Sequence, residues 1–275
     1  MLKKYRISIC LFLLFEVIAV SLWLVSGQKF FLFNFTYIGF FAALGIGLMT
    51  ARYKNARIFT EFFIGAYMLV YLGIIMRENM QIEGFFYYAA LGVFQAAVIH
   101  YVVAKIAGPF IFGRAWCGYA CWTAMVLDLF PFRIPEKPRF KRLGFLRFAI
   151  FGFSLFYFCI VFMYKKETME NVMYISFIAG NILYYSIGIL FAFVFKDNRA
   201  FCKYFCPVTV FLKPASYFSL WRIKVDHDKC TLCNKCRKVC PMDVDMLDDK
   251  RSRKNGTECI QCGNCRITCP QRAIK

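Results

Sequence analysis

The last fifth of this 275-residue chain contains one cysteine pattern twice. The first copy, C-T-L-C-N-K-C-R-K-V-C-P, begins at Cys230, and the second, C-I-Q-C-G-N-C-R-I-T-C-P, begins at Cys259. Both have the spacing C-x2-C-x2-C-x3-C-P. Three thiols this close in sequence can reach one common site, whereas the fourth cysteine of each copy lies too far along the chain to reach it. The pattern therefore restricts this region to a small fold built around two interlocked thiol sites.

This spacing is the one by which bacterial two-cluster ferredoxins bind iron–sulfur clusters, with the fourth cysteine of each copy ligating the other cluster. The sequence thus predicts two [4Fe–4S] clusters. Zinc also accepts four thiolates, but two tandem copies that both end in Cys-Pro favour iron and sulfide. The predicted ligands are Cys230, Cys233, Cys236 and Cys269 for the first cluster, and Cys259, Cys262, Cys265 and Cys240 for the second.

The chain that precedes this pattern is too apolar for a soluble protein. Hydrophobic residues make up 60% of the sequence and aromatic residues 20%. A bilayer crossing requires about 20 apolar residues, and six segments meet that requirement: 7–26, 30–50, 58–76, 85–106, 144–164 and 172–195. We expect an α-helical multi-pass membrane protein of about six transmembrane helices. A small α+β two-cluster ferredoxin domain, opening with a strand at 221–225, would follow them.

Basic residues account for a formal net charge of +19, and they concentrate beside the apolar segments. This placement indicates membrane topology rather than nucleic-acid binding, so no nucleic-acid partner is expected. Loops rich in Lys and Arg face the cytoplasm, which predicts a bacterial or archaeal cytoplasmic (inner) membrane protein with both termini in the cytoplasm. The basic loops are the N-terminus with Lys3, Lys4 and Arg6, the 51–57 loop with Arg52, Lys54 and Arg57, and the 107–143 loop.

A second cysteine motif occurs twice within the apolar region. R-A-W-C-G-Y-A-C contains Cys117 and Cys121, and R-A-F-C-K-Y-F-C contains Cys202 and Cys206. Each copy follows a predicted span, which indicates a duplicated unit whose two copies face each other. Four converging thiols would suit a single iron, a [2Fe–2S] centre or zinc. A redox-active dithiol pair and packing as small hydrophobic residues are the alternatives.

Two arginines and two isolated cysteines of the apolar region have more than one possible role. Arg114 and Arg199 precede the two motifs and could stabilise thiolate charge. They could equally extend their guanidinium groups to the membrane surface. Cys10 and Cys159 stand alone within spans, so we expect them to pack in the core.

Three ionisable residues interrupt the apolar segments: Glu16, Glu61 and His100. Charged groups in lipid are costly and are often functional. Oxidation of a quinol releases protons that a carboxylate or a histidine could accept. These residues are therefore the candidates for proton or quinone chemistry, and hydrogen bonding between helices is the structural alternative.

The two motifs together resemble those of polyferredoxin-type membrane electron-transfer proteins, the group that includes NapH, the membrane core of NosR, and CcoG. The group carries twin C-x3-C-P motifs before a two-cluster domain. Cys206 is followed by Pro207 as in that pattern, whereas Trp122 replaces the proline after Cys121. The resemblance covers 85–275. We divide the chain into transmembrane helices one to three (1–84), a duplicated redox core (85–220) and a ferredoxin domain (221–275).

The resemblance implies an iron–sulfur protein that relays electrons between cytoplasmic carriers and a membrane quinone or a flavoprotein or metalloprotein partner. Quinol dehydrogenase activity would be one form of this function. Expected partners are membrane lipid, a ferredoxin-like, flavodoxin-like or dehydrogenase protein in the cytoplasm, and a membrane or extracytoplasmic redox protein. A CcoG-type metallocentre assembly or metal-reducing factor and a redox sensor are the alternatives. With two histidines and no C-x-x-C-H motif, no haem is expected.

Overall fold

The computed structural model describes residues 2–140, 142–163 and 169–275. Position 164, where a predicted span ends, and the Lys3 side chain lie outside the described part. The helices are α1 (Leu2–Ser26), α2 (Lys29–Thr50), α3 (Ala56–Ala66, continued by π-helical turns over Tyr67–Ile75), α4 (Ile82–Ala90), α5 (Ala96–Phe112), α6 (Trp116–Tyr119), α7 (Trp122–Leu127), α8 (Leu146–Met163), α9 (Met169–Phe195), α10 (Ala200–Tyr204), α11 (Thr209–Tyr217), α12 (Lys235–Lys238) and α13 (Asn264–Thr268).

Five helices in the described residues are long and apolar enough to cross a membrane. They are Lys4–Ser26, Lys29–Thr50, Ala56–Ile75, Arg142–Met163 and Glu170–Phe195. Large apolar side chains on their outer faces are exposed, which is consistent with a membrane protein. α1 and α2 form a hairpin that turns at Gly27, whose φ of 69° lies in the left-handed region that glycine adopts without steric cost.

The predicted span at 85–106 is wrong as a single helix, because the chain divides it into α4 and α5. α4 ends at Ala90, and Gly92 then adopts a φ of 69°, which stops the helix as a left-handed residue does. The N-terminus of α5 is stabilised from another segment, since the Glu78 carboxylate accepts the Ala97 N–H at 3.0 Å. An apolar stretch of sufficient length therefore becomes two shorter helices.

The predicted strand at 221–225 is also not formed, and the described residues contain no strand elsewhere. A single antiparallel bridge joins Val225 to Ile274. The backbone preceding it bonds to a helix instead, because the Trp221 N–H donates to the Ile111 carbonyl at the end of α5 at 2.7 Å. The ferredoxin domain thus has short helices and loops rather than the expected α+β structure.

Cys10 and Cys159 do not lie in the core as expected. Both are exposed, on the outer faces of α1 and α8. A membrane-length helix that is apolar all round has no polar face to mark its outer side, so its sequence does not show which residues contact neighbouring helices. These two cysteines are therefore useful as control positions, away from the thiol sites.

Candidate metal centres

The thiols of the first predicted cluster surround one cavity, here called cavity A. Cys230, Cys233, Cys236 and Cys269 line it together with apolar side chains that include Val225 and Ile274. The loop folds around the cavity because Leu232 and Asn234 take left-handed φ values of 54° and 59°, which turn the backbone between successive cysteines. Cys233 is exposed, so cavity A lies at the surface of the ferredoxin domain.

The thiols of the second predicted cluster surround another cavity, here called cavity B. Cys240, Cys259, Cys262 and Cys265 line it with Ile223, Pro241, Met242, Met246, Ile260 and Asn264. The structure therefore brings the fourth cysteine of each sequence copy to the other copy's site. Each fourth cysteine also accepts a backbone N–H at its sulfur, from Val244 to Cys240 at 3.4 Å and from Ala273 to Cys269 at 3.3 Å.

The lining of each cavity supplies the donors that a cubane requires. Four thiols line cavity A together with Val225 and Ile274, and four thiols line cavity B together with Met242 and Ile260. A [4Fe–4S] cluster is held by four cysteine thiolates. Cavities A and B therefore fit a [4Fe–4S] cluster each. Such a cluster, when bound, supplies one-electron oxidation and reduction.

Cavity B lies directly against the first cysteine repeat. The Tyr119 hydroxyl donates to the Gln261 carbonyl at 2.9 Å, and the Gln261 side-chain amide donates to the Phe112 carbonyl at 2.7 Å. A Cβ placed on Gly118 would lie 2.6 Å from the Ile260 carbonyl oxygen. The loop between two predicted cluster ligands thus contacts the repeat at its backbone.

We expect Gly118→Ala to displace this loop and to lower stability by about 1–3 kcal/mol, the usual effect of overpacking. The added methyl group would meet backbone atoms that have no free rotation. Gly152→Ala is the matched control, because a Cβ added to Gly152 in α8 would have no neighbouring atom within 4 Å. The thermal unfolding midpoint and the electron paramagnetic resonance (EPR) signal of the reduced protein measure the effect. Equal behaviour of the two variants would contradict the close contact.

A buried ion-pair network joins the second repeat to the first. The Arg199 guanidinium donates to Asp128 at 2.8 and 2.5 Å and to Glu61 at 3.2 Å. It also donates to the Cys117 carbonyl at 2.7 Å. Arg57 contacts the same two carboxylates, Glu61 at 2.8 Å and Asp128 at 2.5 Å. Two arginines thus neutralise two acids at the boundary between the repeats.

A second network joins the first repeat to the ferredoxin domain through Glu258, which precedes the predicted ligand Cys259. Glu258 is fully buried and accepts a hydrogen bond from Arg114, the arginine of the first repeat. Three more cations contact the same carboxylate at 3.0–3.1 Å, namely Arg139, Arg147 and Lys213. Glu258 therefore connects the loop of cavity B to α8, α11 and the first motif.

The two networks occupy equivalent places in the repeats. Asp128 and Lys213 stand at corresponding positions after their motifs, so the second repeat has a cation where the first has the acid. Asp128 pairs with Arg199 of the opposite repeat. Arg114 finds its acid in Glu258 instead. The ferredoxin domain thus supplies the carboxylate that the second repeat lacks.

Burial and charge act in opposite directions on these acids. Burial raises the pKa of Glu258, but the cations around it, Arg114 foremost, hold that pKa well below its usual range. Arg199 and Arg57 likewise outweigh burial and lower the pKa of Asp128. Both carboxylates are therefore ionised at neutral pH.

The repeat thiols differ among themselves. Burial raises the pKa of Cys117, but Arg114 and then Lys105 outweigh it, and the net pKa lies below that of an ordinary thiol. Burial raises the pKa of Cys206 to about 11, with Cys121 and Cys117 adding to the increase. The positive charge of this region is therefore directed at the first motif.

The three ionisable residues predicted from the sequence lie in different surroundings. Glu61 belongs to the Arg199 network, which is the structural alternative stated for it. His100 is buried beside Trp116 and Trp122, with ring centroids 5.8 and 6.0 Å away. Glu16 lies on α1, which packs against α2. A proton or quinone role for any of the three stays a prediction.

Arg114 and Arg199 are each 1% exposed, so neither extends to the membrane surface.

Sequence reasoning missed the residues that complete their networks: Arg57, Asp128, Arg139, Arg147, Lys213 and Glu258, together with the buried Lys105. Aligning the two repeats beyond their cysteines would have identified Asp128 and Lys213 as a charge-reversed pair. No sequence signal pairs Glu258 with Arg114.

Comparison with known families supports the iron–sulfur interpretation. The family model of a 4Fe-4S dicluster domain matches residues 222–270. The chain contains ferredoxin-type 4Fe-4S domains. The model of a second 4Fe-4S binding domain matches at 95–137 and again at 180–225, and each match contains one C-x3-C motif. Such domains imply iron–sulfur electron transfer.

Two relatives come from Methanocaldococcus jannaschii. Uncharacterized protein MJ0749 is 28% identical over 174 residues, which cover 62% of this chain and 69% of the relative. Uncharacterized protein MJ0750 is 25% identical over 204 residues, which cover 68% of this chain and 80% of the relative. No solved structure matches the chain. The narrower resemblance to NapH, NosR and CcoG stays a prediction.

Proposed function

We propose that this protein is a membrane-bound iron–sulfur electron carrier. It relays electrons between a soluble carrier of the ferredoxin or flavodoxin type and a membrane quinone, or a flavoprotein or metalloprotein partner. The observation that carries this proposal is the serial order of the thiol sites. Cavity A opens at the exposed Cys233, cavity B lies against Gly118, and Cys117 and Cys202 of the repeats are buried next to it.

The chain's own residues hold these sites in order. The N–H groups of Val244 and Ala273 donate to ligand sulfurs, and hydrogen bonds of this kind tune cluster potentials. Glu258 fixes the cavity B loop against the repeat through its four cations. A quinol that becomes a quinone releases two electrons and two protons, and two one-electron sites match the two electrons.

A basic surface beside cavity A suits an acidic soluble partner. Lys235, Arg237 and Lys238 are exposed close to Cys233, and complementary charge accelerates the encounter of redox proteins. Among the other basic residues of the domain, Arg253 is buried and donates to the Ile223 carbonyl at 2.8 Å. We take the segment 235–238 as the docking surface, because it closely follows the exposed Cys233 in the sequence. The positive-inside rule, applied to the basic loops, supports a cytoplasmic location for this surface and both termini.

The test measures iron, acid-labile sulfide and redox behaviour of anaerobically purified protein. We expect Cys233→Ala and Cys262→Ala each to lose about four irons and four sulfides, the content of one cubane. Cys159→Ser, at an exposed position away from the sites, is the control and should lose none. In liposomes, quinol or reduced flavodoxin should change the oxidation state of the clusters. Zinc without sulfide, or clusters that neither class of carrier reduces or oxidises, would contradict the proposal.

A further inference from the structure

The four repeat cysteines form a site that the ferredoxin domain does not need. We propose that Cys117, Cys121, Cys202 and Cys206 together hold one shared [4Fe–4S] cluster, the third in the protein. This proposal rests on the proposed iron–sulfur function and extends it into the membrane core.

The two repeats bring their thiols to one place. Cys117 and Cys202 belong to one cluster of buried residues, and Cys121 packs against that cluster. Cys206 follows the short helix α10, which contains Cys202. Cys117 and Cys202 are 7% and 6% exposed, and all four residues are free thiols. The contact between Arg199 and the Cys117 carbonyl, at 2.7 Å, fixes the two motifs against each other. The site is therefore built from both halves of the duplication.

Each repeat has too few cysteines to hold a cluster of its own. Residues 95–137 and 180–225 each match a 4Fe-4S binding domain, yet each segment contains only two cysteines. A cubane with cysteine ligands needs four. The two segments can satisfy that requirement only by contributing two thiols each to a common cluster.

The charges around the thiols require an anion. Lys105 is 4% exposed and forms no ion pair with the described residues. Its positive charge favours the thiolate forms of Cys117, Cys121 and Cys206. Arg114 is 1% exposed, and its Nε atom has no hydrogen-bond partner in the described structure. The Trp116 indole N–H is likewise buried without an acceptor there. An unpaired buried cation is strongly unfavourable.

A cubane with four thiolate ligands carries net negative charge and has acceptor sulfides on its faces. It would therefore supply both the counter-charge for Lys105 and the acceptors for the Arg114 and Trp116 donors. Neutral thiols or a pair of disulfides would leave these groups uncompensated.

The deciding experiment counts iron and sulfide in the intact, anaerobically purified protein. Three cubanes predict about twelve of each per chain. The double variant Cys121→Ala/Cys206→Ala should retain about eight of each, while Cys10→Ser/Cys159→Ser should match the wild type. A wild-type content of about eight irons, unchanged in the double variant, would overturn this proposal and leave the proposed function intact. A protein without iron and sulfide would overturn both. The wild-type count decides even where the double variant fails to fold.

A second measurement tests the counter-charge. A cation beside a cluster stabilises its more negative, reduced form, so Lys105→Met should shift the midpoint potential of one EPR-detected cluster to a lower value. Lys105→Arg should restore that potential, and the other two potentials should stay unchanged in both variants. Three unchanged potentials in Lys105→Met would overturn the assignment of Lys105 to this site.

Discussion

Glu258→Gln is expected to detach the ferredoxin domain from the helical core. The substitution keeps the size of the side chain but removes the only carboxylate that Arg114 and Arg147 contact in the described structure. Both arginines are 1% exposed. Removing one partner from a buried ion pair typically costs about 3–5 kcal/mol, because the other charge is left without compensation.

The measurements for Glu258→Gln are the thermal unfolding midpoint in detergent and the protease sensitivity of the connection near Trp221. We expect a lower midpoint and faster cleavage than in the wild type. Glu136→Gln is the control, since Glu136 pairs with Lys196 at 3.4 Å and both side chains are more than half exposed. An exposed pair of this kind contributes about 1 kcal/mol or less. Wild-type stability of Glu258→Gln would show that another group neutralises the arginines.

Arg199→Lys is expected to separate the two cysteine repeats, although the charge is retained. Arg199 makes several contacts at once, to both oxygens of Asp128, to Glu61 and to the Cys117 carbonyl. A lysine ammonium lacks the planar, forked geometry of guanidinium and cannot reproduce a bidentate contact. The lysine would keep the charge but lose at least one of these hydrogen bonds. We expect a loss of about 1.5–3 kcal/mol, the contribution of a hydrogen bond to a charged group.

The Arg199→Lys variant should unfold at a lower temperature and lose iron from the repeat site before the ferredoxin domain loses any. Lys196→Gln is the control, because Lys196 is close by in sequence and its side chain is 56% exposed. It should behave as the wild type does. If Arg199→Lys retained wild-type stability, the bidentate contact with Asp128 would not be what holds the repeats together.

Local sequence features predicted those parts of the site that depend on local geometry. The C-x2-C-x2-C spacing and the left-handed residues between the cysteines place three thiols at each cavity within a few residues of chain. The same spacing predicted that the fourth cysteine of each copy reaches the cavity of the other copy. Cys240, for example, is too distant in sequence from Cys230, Cys233 and Cys236 to join their site. The lengths of the five membrane-length helices followed from continuous apolar runs.

Predictions failed where a distant segment competed with a local preference. The apolar run at 85–106 divides because Gly92 stops one helix and Glu78, a residue outside the run, stabilises the start of the next. The strand at 221–225 gives way to hydrogen bonds with the end of α5. Neither partner can be identified from the segment itself.

The sequence by itself determined the thiol pattern, the duplication and the apolar helices, because each is encoded by residues close together in the chain. Only the tertiary structure decided which charges meet. Arg114 pairs with Glu258 from the far end of the chain, and Arg199 pairs with Asp128 of the other repeat. A charged side chain in an apolar interior is stable only beside a partner, and that partner is chosen by how the helices pack rather than by its position in the sequence.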